Sequence, residues 1–277
     1  MTAREIQQYI AKQLQEVYDS NEANSIAYLW LEGRLSFNRT DVMLHRESID
    51  ISKTTLESDM EQLMNHYPIQ YLLGEGDFYG RRFALNPDTL IPRSETEELV
   101  HKILQKHQSG KLLDIGTGSG CIPITLDLES DLQCFAVDVN PKALEKAQLN
   151  AKNLNSKVIF HELNILENDL ENLATLDVIV SNPPYVTYAE KDIMDKNVVD
   201  FEPDLALYVE DDNPLIFYKR ITDLASKKLN KGGYLYFEIN EQFGKETAQL
   251  LIDAGFNKVL ISKDFQGKDR MVEGQWA

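Results

Sequence analysis

From Lys111 to the last residues, short apolar runs of strand length alternate with stretches of helical periodicity, and few folds accept that order. Lys111 to Ile115, Gln133 to Val139, Val158 to Leu163, Asp177 to Ser181, Gly233 to Ile239, Lys258 to Ser262 and Met271 to Gln275 read as strands. Pro141 to Leu154, Pro214 to Leu229 and Glu241 to Ala254 read as helices between them, with Pro141 suited to a first helical position. The alternation predicts an α/β fold: a doubly wound, mostly parallel sheet of seven strands with helices on both faces.

Ahead of that pattern the chain is different. Thr2 to about Gly74 has helical spacing and no convincing strand, with Ile6, Ile10 and Leu14 in one segment, Ala27, Leu29, Trp30 and Leu31 in the next, and Leu56, Met60, Leu63 and Met64 in a third. A small all-helical domain over 1–74 is expected, as an amphipathic scaffold or a docking element. Gly74, Gly76, Phe78, Gly80, Phe83, Leu85, Pro87, Leu90 and Pro92 then predict two short strands joined by turns, a hairpin connector over 75–92. Ser94, three residues before Glu97, matches a capping box for a helix carrying Leu99, Val100, Ile103 and Leu104, and opens the sheet domain at 93–277. A length of 277 residues, at about 150 per domain, agrees with roughly two domains.

The first strand of the alternating region runs Leu112-Leu113-Asp114-Ile115 into Gly116-Thr117-Gly118-Ser119-Gly120. Glycines at a strand-to-helix turn let backbone approach a ligand where a Cβ would obstruct it, and this turn is the expected ligand crevice of an open α/β sheet. Asp138 ends the second strand, 18 residues after Gly120, near the ~20 expected for an acid that grips a ribose. An acid there can also cap the helix that begins at Pro141. The dinucleotide fingerprint does not fit, because Cys121 stands where its third glycine belongs, and no Gly-Lys-Ser/Thr follows to make an ATP-binding P-loop. Asp114, just before the turn, could pair with a cationic amino group. A ribose, an α-amino group and a sulfonium occur together in S-adenosylmethionine.

The fourth strand, Asp177-Val178-Ile179-Val180-Ser181, ends in Asn182-Pro183-Pro184-Tyr185. Consecutive prolines fix φ and leave their carbonyls without a helix to join, so these acceptors stay available, and Asn182 adds a side-chain oxygen. Together they can receive both hydrogens of a planar –NH2 group while Tyr185 lies against its flat face. A delocalised amide or aromatic amine attacks a methyl sulfonium poorly. Acceptors that tighten as the nitrogen gains positive charge favour the transition state.

Charge narrows the choice of amine. The chain has 28 Lys plus Arg against 45 Asp plus Glu, a net charge of −17, which repels nucleic acid phosphates at long range. An N6-adenine nucleic acid methyltransferase, which could use the same amine clamp, would need a basic tracking face. Arg81-Arg82 and Lys227-Lys228 are only small pairs. Cys121 and Cys134 have no CxxC spacing, and His45, His66, His101, His107 and His161 are scattered, so no metal site is expected. Met1 to Ser20 lacks the uninterrupted apolar run of a signal peptide and no stretch nears ~18 apolar residues, so a cytoplasmic protein without a membrane partner is expected.

With these residues in view, the chain resembles class I S-adenosylmethionine-dependent methyltransferases, and within them the HemK/PrmC family that methylates a glutamine of peptide chain release factors. Pro68-Ile69-Gln70-Tyr71-Leu72-Leu73-Gly74, Phe78-Tyr79-Gly80, Leu90-Ile91-Pro92-Arg93-Ser94-Glu95-Thr96-Glu97, Phe201-Glu202-Pro203 with Leu205-Ala206-Leu207, and Gly267-Lys268-Asp269-Arg270 all look like that family's signatures. The resemblance implies a Rossmann-like methyltransferase domain and, as substrate, the glutamine of the Gly-Gly-Gln loop in class 1 release factors, giving N5-methylglutamine. By matching position it assigns S-adenosylmethionine to Gly116, Gly118, Gly120 and Asp138. Asp114, Thr117, Ser119, Asn164 and Ile165 join them as candidate contacts. It assigns the glutamine amide to Asn182, Pro183, Pro184 and Tyr185, with Asn182 between the two ligands and with Asn182, Pro183 and Tyr185 carrying catalysis. Asn164 stands where many relatives have an acid, Ile165 where an aromatic often covers the adenine, and Glu210-Asp211-Asp212-Asn213 where a Gly-rich segment is expected.

Overall fold

A computed structural model describes residues 1–44, 47–49, 53–171 and 173–277 of the chain; His45 lies outside the described residues. Packing divides the protein into two units, Met1–Glu75 with Asp195–Phe201, and Gly76–Met194 with Glu202–Ala277.

The first unit is helical: α1 (Ala3–Leu14), α2 (Ser20–Leu35), α3 (Arg39–Leu44), α4 (Lys53–Met64) and α5 (Ile69–Leu73). Thr2 and Glu5 form a reciprocal capping box that starts α1, and the Asp19 side chain caps α2. Ile6, Ile10 and Leu14 line one face of α1 and bury it against Trp30, Leu31 and Leu63. The Trp30 indole N–H donates to Asp59 at 2.8 Å, and the Arg34 guanidinium grips both oxygens of the same carboxylate. That buried acceptor ties α2 to α4. The segment from Asp195 joins through Phe201, whose ring meets Tyr67 edge-on at 5.2 Å.

The second unit opens with a hairpin, β1 (Glu75–Phe78) and β2 (Arg81–Ala84), then α6 (Ser94–Lys106) and β3 (Ser109–Ile115). The expected capping box at Ser94 does not form. Arg93 is the N-cap, the Ser94 hydroxyl donates to Glu95, and the Glu97 carboxylate accepts from the Tyr79 backbone N–H. Long-range demand for the Glu97 carboxylate outweighs the local motif.

The chain continues through α7 (Cys121–Glu129), β4 (Asp131–Asp138), α8 (Pro141–Leu154), β5 (Ile159–Glu162) and β6 (Leu176–Ser181). Two-residue strands β7 (Val186–Thr187) and β8 (Tyr208–Val209) flank a 3-10 turn and the short helices α9 (Lys196–Val199) and α10 (Asp204–Leu207). Then come α11 (Ile216–Lys228), β9 (Leu229–Glu238), α12 (Gly244–Asp253), β10 (Phe256–Lys263) and β11 (Asp269–Trp276). The helix expected from Glu241 begins as a 3-10 turn, Glu241–Phe243, because Asn240 caps it at Gln242 before α12 takes over.

The seven-stranded sheet has the order β10-β11-β9-β6-β3-β4-β5, parallel except for β11, which runs antiparallel to both its neighbours. Leu113, Ile179 and Leu235 lie in the core on one face. Cys121 and Cys134 are buried thiols. Among the described residues no helix is long and apolar enough to cross a membrane.

Asn150 on α8, 1% exposed, holds the hairpin and the glycine turn together. Its oxygen accepts from the Ala84 N–H at 2.7 Å, and its NH2 donates to the carbonyls of Ala84 at 3.0 Å and Ser119 at 2.9 Å. Replacing it with Ala leaves buried partners unpaired, so Asn150→Ala is expected to lower stability by about 2–4 kcal/mol in urea unfolding. A loss under about 1 kcal/mol would mean that water replaces these bonds.

Candidate active site

Strand order decides where a cavity opens. β3 sits between β4 and β6, and the chain leaves its carboxyl end toward α7 while the connections on either side diverge, which leaves a crevice there. A cavity of about 210 Å³ occupies it, walled by Ile115, Gly116 and Gly118 from the turn after β3 and by Asp138 and Asn140 from the end of β4. Asn164 and Ile165 follow β5, and Asn182, Pro183 and Pro184 follow β6.

Gly116 and Gly118 have left-handed φ values of 77° and 53°, and a Cβ added at either would meet no protein atom within 4 Å. The turn is therefore open toward the cavity, with room for a ligand against its backbone. Gly120 acts differently: a Cβ there would come within 2.9 Å of Ile124 and 3.1 Å of Ala147, so it lets α7 pack on α8. Gly120 does not line the cavity, nor do Asp114, Thr117, Ser119 or Tyr185.

Asp138 points one oxygen at the Gly118 N–H, at 2.8 Å, and the other at the Asn140 N–H, at 2.9 Å. Each oxygen keeps a further lone pair for a hydroxyl. Burial pushes its pKa up, while the backbone N–H groups of Asn140, Gly118 and Val139 oppose the shift. The helix cap is a separate residue, Asn140, whose side chain accepts from the Lys142 N–H.

Asp114 lies behind the turn, fully buried, and neither of its oxygens has a hydrogen-bond partner among the described residues. Burial pushes its pKa up to about 7, the neighbouring Thr117 hydroxyl pulls against the shift, and the Asp138 carboxylate adds to it. Thr117 and Ser119 carry hydroxyls that are likewise buried and unpartnered. A buried carboxylate behind an open glycine turn places negative charge next to the cavity without entering its wall. Asn164 lines the cavity and uses its own side-chain oxygen to accept from the Leu166 N–H at 3.1 Å; among the described residues its NH2 donates no hydrogen bond.

At the other end, the Asn182 NH2 donates to the Thr96 hydroxyl at 3.3 Å, and that hydroxyl donates to Glu238 at 2.7 Å. The Tyr185 hydroxyl donates to the second oxygen of Glu238 at 3.2 Å. Burial raises the Glu238 pKa, against the pull of Thr96, Arg270 and Tyr185. Tyr185 packs against the sheet core, and burial with the nearby carboxylate pushes its phenol well up, so it remains a proton donor. Its ring is thus anchored beside the cavity rather than in its wall. Among the described residues the Asn182 side-chain oxygen and the Pro183 and Pro184 carbonyls accept no hydrogen bond.

Two further blocks meet at the rim. The Glu202 carboxylate accepts from the Ile91 N–H and the Arg93 guanidinium, and Pro203, Leu205 and Ala206 just beyond it line the cavity. Arg270 donates to Asp264 at 3.2 Å and closes the β10–β11 turn. Asp88, Leu90, Asn140, Phe217, Thr96 and Glu238 are site residues that motif reading did not assign. Leu90 and Thr96 stood in a signature block without a role of their own, and Glu238 left a trace as a charge interrupting the apolar run Tyr234 to Ile239.

The Methyltransferase small domain family matches residues 95–200, and the PrmC N-terminal domain family matches residues 5–74. A protein named release factor glutamine methyltransferase from Flavobacterium psychrophilum is 44% identical over 269 residues, covering 94% of each chain. One of the same name from Bacteroides thetaiotaomicron is 39% identical over 268 residues, 95% of this chain and 96% of its own. A methyltransferase from Pyrococcus furiosus shares the fold with a TM-score of 0.55 at 18% identity, over 79% of this chain and 98% of that one.

Asp114 makes the ligand-free protein sensitive to pH. Its folded pKa lies above its unfolded value of 3.8, so its contribution is fully present below that value, falls as pH rises, and is gone above about 7. At most about 4 kcal/mol is at stake for this group. Melting wild type and Asp114→Asn without ligand from pH 4 to 8 is expected to show the variant gaining relative stability up to about pH 7 and then levelling. A difference independent of pH would mean that Asp114 keeps its ordinary pKa.

Proposed function

The chain belongs to the release factor glutamine methyltransferase family, and we propose that it moves a methyl group from S-adenosylmethionine to the glutamine side-chain nitrogen, N5, in the Gly-Gly-Gln loop of class 1 peptide chain release factors. One observation carries the reading. Unpaired acceptors at Asn182, Pro183 and Pro184 share a cavity with an open glycine turn and the Asp138 carboxylate.

Gly116, Gly118 and Asp138 would hold the methyl donor, with the two free lone pairs of Asp138 on ribose hydroxyls and Asn164 and Ile165 at the adenine end. Asp114, behind the turn, contributes negative charge toward the donor's amino group and sulfonium. When bound, S-adenosylmethionine supplies an electrophilic methyl group on a positively charged sulfur.

The chain's own residues address the acceptor. The Asn182 oxygen and the Pro183 carbonyl take one N–H each of the glutamine amide, and Pro184 stiffens the loop that carries them. As the nitrogen forms its bond to the methyl carbon it loses amide resonance and becomes positive, so its N–H groups become stronger donors. Both hydrogen bonds then tighten in the transition state, which is differential binding. Holding nitrogen and methyl carbon in line supplies up to about 7–11 kcal/mol. The methylated nitrogen is acidic enough to lose its extra proton to water, so no strong base is needed before attack.

The helical unit is the proposed docking element for the release factor, and the net charge of −17 suits a partner that carries basic surface for ribosomal RNA. Work in the cytoplasm, where translation terminates, follows from that substrate.

Asn182→Ala is expected to cut single-turnover methyl transfer far more than donor affinity. Asp138→Ala is expected to weaken donor binding by about 10- to 100-fold in calorimetry, the worth of one or two charge-assisted hydrogen bonds. Mass spectrometry of the treated factor is expected to place the methyl on the glutamine; an Asn182→Ala protein with undiminished turnover would overturn the mechanism. Factor binding is expected to weaken as salt rises, and a flat salt response would remove charge from partner choice.

A further inference from the structure

A carboxamide has two ends of similar shape and opposite hydrogen-bonding character, so Asn182 is useful to an amide substrate in only one of its two orientations. With its oxygen toward the cavity it accepts from the substrate –NH2; flipped, it presents its own NH2 and repels that group. Nothing within Asn182 chooses between them. The choice is made by what lies behind it.

Behind it stands Thr96 on α6, and behind Thr96 stands Glu238 at the end of β9, 1% exposed. An ionised carboxylate only accepts hydrogen bonds. A hydroxyl has a single proton, and Thr96 directs it to Glu238 at 2.7 Å, so toward Asn182 the Thr96 oxygen can act only as an acceptor. Asn182 must then offer its NH2, at 3.3 Å, and its oxygen is left for the cavity that it lines. We propose that Glu238, through the Thr96 hydroxyl, is a positioning residue that fixes which end of the Asn182 carboxamide faces the cavity, so that the substrate amide meets an oxygen rather than an NH2.

The same carboxylate holds the far end of the motif, because its other oxygen accepts from Tyr185 at 3.2 Å. The groups around it agree with a charged acceptor. Thr96 from α6 and Tyr185 from the loop after β6 donate to it, and Arg270 from β11 adds positive charge. Tyr218 from α11 donates to the Glu238 backbone carbonyl at 3.2 Å; burial, the largest influence, and Glu95 from α6 act against the charge, and the donors from Thr96 and Tyr185 with Arg270 oppose them. A protonated or amide side chain at 238 could donate to Thr96, turn the Thr96 proton toward Asn182 and reverse the chain of donors. The inference rests on the proposed role of Asn182 and adds the mechanism that orients it.

The test uses the full-length protein, S-adenosylmethionine and a purified class 1 release factor, with the variants Thr96→Val, Thr96→Ser, Glu238→Gln and Asn182→Ala. Thr96→Val keeps the side-chain shape but removes the hydroxyl, and is expected to lower kcat by about 10- to 100-fold while leaving donor affinity within about twofold of wild type. Thr96→Ser is expected to restore at least about a third of the wild-type kcat, and Glu238→Gln to fall toward the valine variant. In an Asn182→Ala background, Thr96→Val is expected to cost nothing more, because the group it orients is gone.

Thr96→Val turnover within about twofold of wild type, equal damage by valine and serine, or full additivity with Asn182→Ala would overturn the inference. Should Thr96→Val lose donor binding through misfolding, Glu238→Gln carries the same decision, and wild-type kcat there overturns it. Wild-type turnover in Asn182→Ala would instead overturn the reading of the clamp. A crippled Asn182→Ala beside an unimpaired Thr96→Val would sink the orientation mechanism alone.

Discussion

The site depends on one constraint, the position of β3 in the middle of a parallel sheet. A parallel strand buried on both sides must be followed by a crossover, and because β4 pairs on one side of β3 and β6 on the other, connections leave the carboxyl ends in opposite directions. The gap between them cannot be filled by the connections that made it. The turns after β3, β4, β5 and β6 all empty into this gap, and with Asp88, Leu90, the Pro203 to Ala206 segment and Phe217 they make one cavity from widely separated stretches of sequence.

The second constraint is polar. The crevice draws buried acceptors together, and the protein treats them in two ways. Glu238, Glu202 and Asp138 are given donors from side chains or backbone N–H groups, which fix their orientation and that of the loops they hold. Asp114 is buried behind the glycine turn with no hydrogen-bond donor in good geometry among the described residues, at a cost in stability that grows with its ionisation. Satisfied carboxylates hold the loops around the crevice, and the buried Asp114 places negative charge behind the glycine turn.

The motifs were legible where chemistry is local. A strand-to-glycine turn, an acid at the next strand end and Asn182-Pro183-Pro184-Tyr185 each carry their meaning within a few residues, and Gly116, Gly118, Asp138, Asn182, Pro183 and Pro184 line one cavity. Packing assigns roles that local reading did not carry. Gly120 resembles its neighbours in the turn but spares α7 a clash with α8, and Tyr185 gives its hydroxyl to Glu238 instead of lining the wall. The Ser94 and Glu97 pair has capping spacing, yet Glu97 answers to Tyr79. A side chain with a distant partner leaves no spacing to read.

By itself the sequence determined the alternation that requires a doubly wound sheet, the helical character of the first 74 residues and the order of the chemical motifs, because periodicity and turn chemistry act over a few residues. Tertiary structure alone decided that Thr96, Asn182, Tyr185 and Glu238, separated by up to 142 positions in the chain, share one hydrogen-bonded network. The physical reason is that a carboxylate at the end of β9 is only a buried charge until the neighbouring strand and α6 bring donors to it. Which way Asn182 faces is then a property of the assembled site.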